Sequence, residues 1–298
     1  MVLLDASWRF HGDKIGTAMP YDFNSIATRV LDGVLTAQIA NPPLNLIDPV
    51  LVGDLIALFD ELDNDASVRV VIIESADPEY FIPHVDLKQI AEYTAIAAQS
   101  GGPDDASLGA LLRRISEARQ VTIAKVRGRA RGAGSELTLA CDLSFASDEA
   151  TFCQPEVGMG TYPGGGAVQA LTRRVGKGRA MEIILGGADF TGTEAADYGW
   201  INRSMPSADL DAFVDAIARR IARFPADAVR LAKRRINAVA LPPKEDTQVD
   251  ASSFQLLAKS TALQKRVGAL FVAGLQERGD TELHLAAVLS ALPSAATE

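Results

Sequence analysis

The sequence predicts an α/β fold of short parallel strands joined by helical crossovers, and three observations carry that prediction. Val68–Ile73 reads VRVVII, β-branched and almost wholly apolar, as expected of a strand covered on both faces. Just before it, Leu51, Leu55, Leu58, Phe59 and Leu62 recur at spacings of three and four, which marks one stripe of a helix. Strand and helix patterns then alternate with short connections up to about residue 166, the signature of parallel sheet with helical crossovers. A composition of 48% hydrophobic and 22% charged residues suits a packed core and is too apolar for a disordered chain.

The elements follow in order. Residues 1–26 show no clear period and read as an arm. Ala27–Ile39 reads as a β-hairpin turning at Asp32-Gly33 and stopped by Asn41-Pro42-Pro43. The helix of Leu51–Leu62 and the strand of Val68–Ile73 come next, then a loop over Glu74–Leu87. A break at Gly101–Asp105 precedes a helix carrying Leu108, Leu111, Leu112 and Ile115. Val121–Val126 is the next buried strand, and Leu143–Ala146 another, with a short helix between them. Beyond Gly166 the chain turns mainly helical. Leu210, Phe213, Val214, Ile217 and Ile221 line one helix face, with Ser207 as its expected N-cap. Ala226–Val239 forms another helix, stopped by Pro242-Pro243. Residues 244–298 hold a helix with Leu263, Val267, Leu270, Phe271 and Leu275 on one stripe, expected to dock on a neighbouring subunit or back on the sheet domain. The chain therefore divides into an N-terminal arm (1–26), a core domain (27–240) and a C-terminal helical oligomerisation region (241–298).

Charge and rare residues exclude several classes. The net charge of -9 argues against a dedicated binder of nucleic acid or anionic membrane, which needs basic excess to hold phosphates. Two cysteines and three scattered histidines (His11, His84, His284) give neither a disulfide framework nor a metal cluster. The N-terminus lacks a basic lead, so no secretory signal is read there. The best apolar run, Val267–Leu275, is too short to span a bilayer. The expectation is a soluble, cytoplasmic protein with no metal.

The stretch that carries most chemistry is Val121–Glu136, VTIAKVRGRARGAGSE. A buried strand runs into Gly132-Ala133-Gly134, and a helix starts near Ser135. Small residues at such a turn let backbone N–H groups approach a ligand, and the helix start adds unpaired donors and partial positive charge. That is a cradle for a developing oxyanion, or a tight turn chosen for packing; a phosphate-binding P-loop is excluded because no Lys-Ser/Thr follows the last glycine. Glu136 lies in the first turn of that helix. Glu156 lies twenty residues on, in a Pro/Gly-rich loop before another helix. Each alone reads as a surface carboxylate. Brought to one apolar cleft, the two would push their pKa values apart and give one proton donor and one acceptor near neutrality.

Taken together, these segments resemble the enoyl-CoA hydratase/isomerase (crotonase) family. Gly128-x-Ala130-x-Gly132-Ala133-Gly134-Ser135-Glu136-Leu137, followed by Ala140-Cys141-Asp142, resembles its second oxyanion segment and first glutamate. Gln154-Pro155-Glu156-x-Gly158-x-Gly160-x-x-Pro163-Gly164-Gly165-Gly166 resembles its second-glutamate segment. Asn41–Asn45, Val68–Ile73 and Gly199-Trp200-Ile201-Asn202 match further segments in consistent order across about 27–240. The resemblance implies an α/β, crotonase-like spiral of ββα units with a C-terminal helical region, assembled as a homotrimer or hexamer. It implies an acyl-CoA thioester substrate, with coenzyme A part of that substrate and no separate cofactor. It also implies backbone N–H groups of Val85 and Ala133 receiving an enolate-like thioester oxygen, Glu136 and Glu156 acting as acid and base, and His84, Asp86, Gly134, Pro163 and Gly164 contacting substrate. Retention of both glutamates favours hydration of a 2-enoyl-CoA over isomerisation, where one suffices.

Two places depart from the pattern. The first oxyanion loop, usually Phe-x-Ala-Gly-x-Asp-Leu in the family, is here Phe81-Ile82-Pro83-His84-Val85-Asp86-Leu87. Pro83 removes an N–H, and His84 stands where the family has glycine. His84 is read as structural, with an acid/base or substrate contact as the alternative. Second, Lys125, Arg127, Arg129 and Arg131 alternate, and period 2 places them on one strand face. Ion pairing with the acidic excess is expected there, against a CoA-phosphate contact or an RNA-binding ridge on a non-catalytic scaffold. Cys141 and Cys153 read as core residues.

Overall fold

The computed structural model describes residues 21–100 and 108–293. Most of the expected arm, the Gly101–Asp105 break and the last five residues lie outside the described residues. Tyr21 is already buried: its hydroxyl donates to Asp65 Oδ2 at 2.8 Å, and the Ser25 N–H donates to Asp54 Oδ2 at 2.6 Å, so packing begins ahead of residue 27.

The hairpin expected over Ala27–Ile39 is β1 (Ile26–Leu31) and β2 (Val34–Ile39), antiparallel, with Asp32 and Gly33 both at positive φ in the turn. Next comes α1 (Pro49–Asn64), capped by Asp48, whose side chain accepts from the Leu51 N–H. Three units of strand, strand, helix follow. The first is β3 (Val70–Ser75), β4 (Tyr80–Ile82), α2 (Ile90–Ala97) and α3 (Leu108–Glu117). The second is β5 (Val121–Val126), β6 (Arg129–Arg131) and α4 (Ala133–Ala140). The third is β7 (Leu143–Ser147), β8 (Thr151–Cys153), α5 (Glu156–Met159) and α6 (Ala167–Gly186). Then come β9 (Phe190–Thr191), α7 (Gly192–Tyr198), β10 (Arg203–Met205), α8 (Ser207–Ala222) and α9 (Ala226–Ala240). The chain ends in α10 (Lys244–Ala258), α11 (Thr261–Val272), α12 (Asp280–Leu283) and α13 (Leu285–Ala291).

In each unit the first strand joins one sheet and the second strand joins another. The larger sheet runs β1-β2-β3-β5-β7-β10 and is parallel from β2 onward; the smaller runs β4-β6-β8-β9, closed by an antiparallel β8–β9 pair. Both sheets therefore advance one strand per unit, which is the spiral of ββα units the resemblance implies. The doubly covered reading of VRVVII also holds. Val70 and Ile72 pack against Leu210, Val214 and Ala218 of α8, while Val71 and Ile73 face the main core with Leu55, Leu58 and Phe59 of α1.

Three expectations need correcting. The Glu74–Leu87 loop contains β4, too short and too enclosed to show an alternating pattern. Pro206, rather than Ser207, occupies the N-cap of α8, and Ser207 is its first residue. The four alternating cations do not share one face, because the chain leaves the larger sheet at Val126, turns at Gly128 and enters the smaller one. A Cβ at Gly128 would lie 2.3 Å from the Glu79 carbonyl carbon, so only glycine fits the crossing. Lys125 pairs with Glu74 and Asp211, Arg127 with Asp211, and Arg131 with Asp189, while Arg129 donates to the Leu283 carbonyl. The C-terminal region folds back on its own chain: Leu263, Leu270, Leu285 and Leu289 form a cluster with Met159, and Arg266 donates to the Gly158 carbonyl.

Candidate active site

Helix α4 begins where β6 ends, at Gly132 with φ 50 and ψ -120. Its first turn is pressed against β4 so closely that a Cβ at Gly134 would lie 2.0 Å from the Ile82 carbonyl oxygen. The small residues of the turn are thus a packing requirement, and the packing brings a helix N-terminus to the wall of a cavity. That cavity encloses about 650 Å³, open solvent at its mouth included, within the range of small-molecule sites. Its walls are largely apolar, with Leu108 from α3, Met159 from α5 and Phe254 from α10 among them.

Glu136 is buried on the α4 side. Its Oε1 accepts from the Gly165 N–H at 2.8 Å and from the Ala167 N–H at 3.1 Å, where α6 begins. Burial pushes its carboxyl up to about 7, against the pull of those two N–H groups and with the nearby Asp250 charge adding to the rise. Glu156, the first residue of α5, faces the same cavity, and its Oε2 has no partner among the described residues. Burial first, and the Glu136 charge second, hold the Glu156 carboxyl well above the usual carboxylate range. Two carboxyls so placed do not ionise together near neutrality; the pair keeps a proton between them.

Val85 and Ala133 line this cavity too, and among the described residues neither backbone N–H has a hydrogen-bond partner. Val85 is presented by a parallel bridge to Ile47, in which Ile47 donates to the His84 carbonyl and accepts from the Asp86 N–H. That pattern uses the bonds on both sides of the Val85 N–H and leaves it free. Ala133 N–H is free because it opens a helix.

The expected site residues do not all meet. Glu136, Glu156, Val85, Ala133, His84 and Gly164 line the cavity, whereas Asp86, Gly134 and Pro163 stand back from its wall. The Asp86 carboxylate is turned to the Lys88 N–H and the Gln276 side chain, each at 2.8 Å. Gly134 lies behind, against Ile82. His84 is buried, and its backbone stays out of the left-handed region, so no glycine is required there. Its Nε2 lies 2.9 Å from Glu282 Oε1 and its Nδ1 2.8 Å from the Val85 carbonyl. Burial pulls the His84 pKa down, but the Glu282 carboxylate more than offsets this and the net direction is up. Sequence reasoning missed Glu282 and Gln276, which lie nearly two hundred residues away with no local signal, and missed Tyr93 and Phe254 as cavity walls. Cys141 and Cys153 are both buried, and burial pushes the Cys141 thiol up to about 12, which suits core residues.

Comparison with known proteins points to one family. Residues 29–272 match the family model for enoyl-CoA hydratase/isomerase. A "Short-chain-enoyl-CoA hydratase" of Clostridium acetobutylicum is 32% identical over 209 residues, covering 69% of this chain and 78% of the relative. A "Probable enoyl-CoA hydratase" of Rhizobium meliloti is 32% identical over 262 residues, covering 86% and 96%. Among solved structures, a "putative enoyl-CoA hydratase" from Streptomyces avermitilis superposes with TM-score 0.90 at 50% identity, covering 91% of this chain and 98% of that one.

Proposed function

The chain belongs to the enoyl-CoA hydratase/isomerase family, and from that premise we propose that it adds water reversibly across the 2,3 double bond of a 2-enoyl-CoA thioester. The observation that carries this reading is the pair of carboxyls, Glu136 buried and Glu156 partly buried, sharing one cavity with two unpaired backbone N–H groups. The ionised carboxyl takes a proton from water as its oxygen bonds to C3. The π electrons then move onto the thioester oxygen, which receives hydrogen bonds from the Val85 and Ala133 N–H groups. C2 takes its proton from the other carboxyl, and return of a proton between the two resets them. Loss of one such backbone donor costs about 2.7–4 kcal/mol of transition-state stabilisation. His84 and Gly164 line the cavity that would take the substrate. The reading needs no metal or redox cofactor, since coenzyme A arrives with the substrate.

Assembly as a homotrimer or hexamer belongs to the same proposal. It is supported by Leu231, Ile236 and Val239 of α9, which are 51%, 64% and 87% exposed in the single chain. No helix among the described residues is long and apolar enough to cross a membrane, and a cytoplasmic location is proposed with the activity.

Loss of enoyl-thioester absorbance, followed with a short and a long 2-enoyl-CoA, tests the reading. Wild type should turn over, and Glu136→Gln and Glu156→Gln should each lower kcat by about 100- to 10,000-fold. Binding of CoA esters without turnover would overturn it. A Glu156→Gln variant that still shifts a 3-enoyl double bond to position 2 would point to isomerisation instead.

A further inference from the structure

The His84–Glu282 contact joins two parts of the chain that lie far apart in sequence. One is the 83–86 loop, which presents Val85 to the cavity. The other is the turn from Leu275 into α12, beyond the end of α11. Both side chains are buried, at 5% and 0% exposure. Glu282 is itself held from two sides: its Oε1 also accepts from the Gln276 N–H at 2.6 Å, and its carbonyl accepts from Arg131 Nη1 at 2.6 Å. A second tie runs beside the first, from Gln276 Nε2 to Asp86 Oδ1 at 2.8 Å. The residues on either side of Val85 are therefore both fastened to the same turn.

The His84 ring faces an acceptor at each nitrogen, the Val85 carbonyl at Nδ1 and the Glu282 carboxylate at Nε2. It satisfies both only when each nitrogen carries a proton, that is, as an imidazolium beside a carboxylate. A neutral ring leaves one nitrogen's lone pair against an acceptor, and one of the two contacts is lost. The charged groups acting on the ring are Glu282 from α12 and Arg131 from β6. The titratable Glu156 of α5 lies across Gly132 from the His84 Cβ, and Asp86, on the ring's own loop, is turned to Gln276.

We propose that His84 and Glu282 are positioning residues, a buried charge pair that clamps the 83–86 loop to the C-terminal turn and so fixes the Val85 N–H at the cavity wall. The clamp deepens the hydratase reading and rests on its use of Val85. It does what a glycine at position 84 could not. It makes the C-terminal turn part of the site's geometry without placing a side chain from that turn in the cavity.

The test uses the full chain, with nitrogen-15 in histidine and valine, and follows the His84 ring and the Val85 amide as pH rises. In wild type both ring nitrogens of His84 should be protonated at pH 7, and the Val85 amide should move on the same titration curve. Glu282→Gln removes the main opposition to burial and leaves only the Val85 carbonyl, so the ring should lose its proton at lower pH. The same variant should lower kcat by up to about 100-fold, as a misplaced catalytic group does, with KM little changed. His84→Gln should behave alike, and the double variant should be no worse than the worse single one. A neutral His84 at pH 7 in wild type, a Val85 amide indifferent to Glu282→Gln, or a lower Tm with kcat unchanged would each overturn the clamp. Wild type that hydrates no enoyl-CoA, while Val85 still follows His84, would support the clamp and sink the hydratase reading.

Discussion

The two backbone donors proposed for the thioester oxygen come from regions built in opposite ways. Ala133 sits at the start of α4, where the strand ends, the glycines turn and the helix begins within a few residues. Its free N–H is a property of any helix N-terminus, and its position follows from α4 packing on β4 at Gly134. Val85 sits in an irregular loop whose placement comes from Ile47 on one side and from Gln276 and Glu282 on the other. A donor fixed by local structure needs small residues nearby. A donor fixed by remote side chains needs a buried charge pair and a network to hold it.

The comparison breaks most sharply on the α4 side. Ala133→Pro deletes the N–H at a first helical position, where proline is tolerated. The variant should fold with near-native Tm and lose about 100- to 1,000-fold in kcat; a folded variant with full activity would remove Ala133 from the proposed chemistry. On the Val85 side, removing the support of the C-terminal turn should cost stability as well as kcat. Arg131 is fully buried, paired with Asp189, and donates to the Glu282 and Leu283 carbonyls of the turn that holds the loop. Arg131→Met should cost about 1–3 kcal/mol in urea unfolding, since it leaves the Glu282 and Leu283 carbonyls without their donor. A near-neutral effect would mean that the turn is held without it.

A smaller effect separates the two regions by pH. Glu136 belongs to the α4 side, and its folded-state pKa of about 7 lies above the usual carboxylate value of 4.5. A raised pKa adds stability that is complete below the unfolded-state value and is lost as pH rises through the folded-state value. Wild type should therefore lose stability relative to Glu136→Gln between about pH 4.5 and 7. The variant should melt higher at pH 8, with the gap closing near pH 5. A Tm difference that does not vary with pH would contradict a buried, proton-holding Glu136.

Much of the α4 side was legible in the sequence. Gly132-Ala133-Gly134 announced a turn where backbone approaches closely, and the order strand, turn, helix put Glu136 one turn in. Glu156 was legible as a loop carboxylate before a helix, and the pairing of the two came from the family resemblance rather than from their spacing. The Val85 side was legible only in part. Pro83-His84 stands out as a departure and suits a structural role, but no local pattern in the sequence identifies its partner. Glu282 lies in a four-residue helix with no periodicity, and nothing near it signals burial.

By itself the sequence determined the α/β class, the doubly buried β3, the helix stripes and the turn before α4, because each rests on a local period or on the conformational freedom of glycine. Local patterns survive without knowing what they pack against. Only the tertiary structure decided that the basic alternation splits between two sheets at Gly128. It also decided that the C-terminal helices return to their own chain, and that His84 meets Glu282. Those outcomes depend on which distant groups share a buried space, where the cost of leaving a charge or a hydrogen-bonding group unpaired selects one partner.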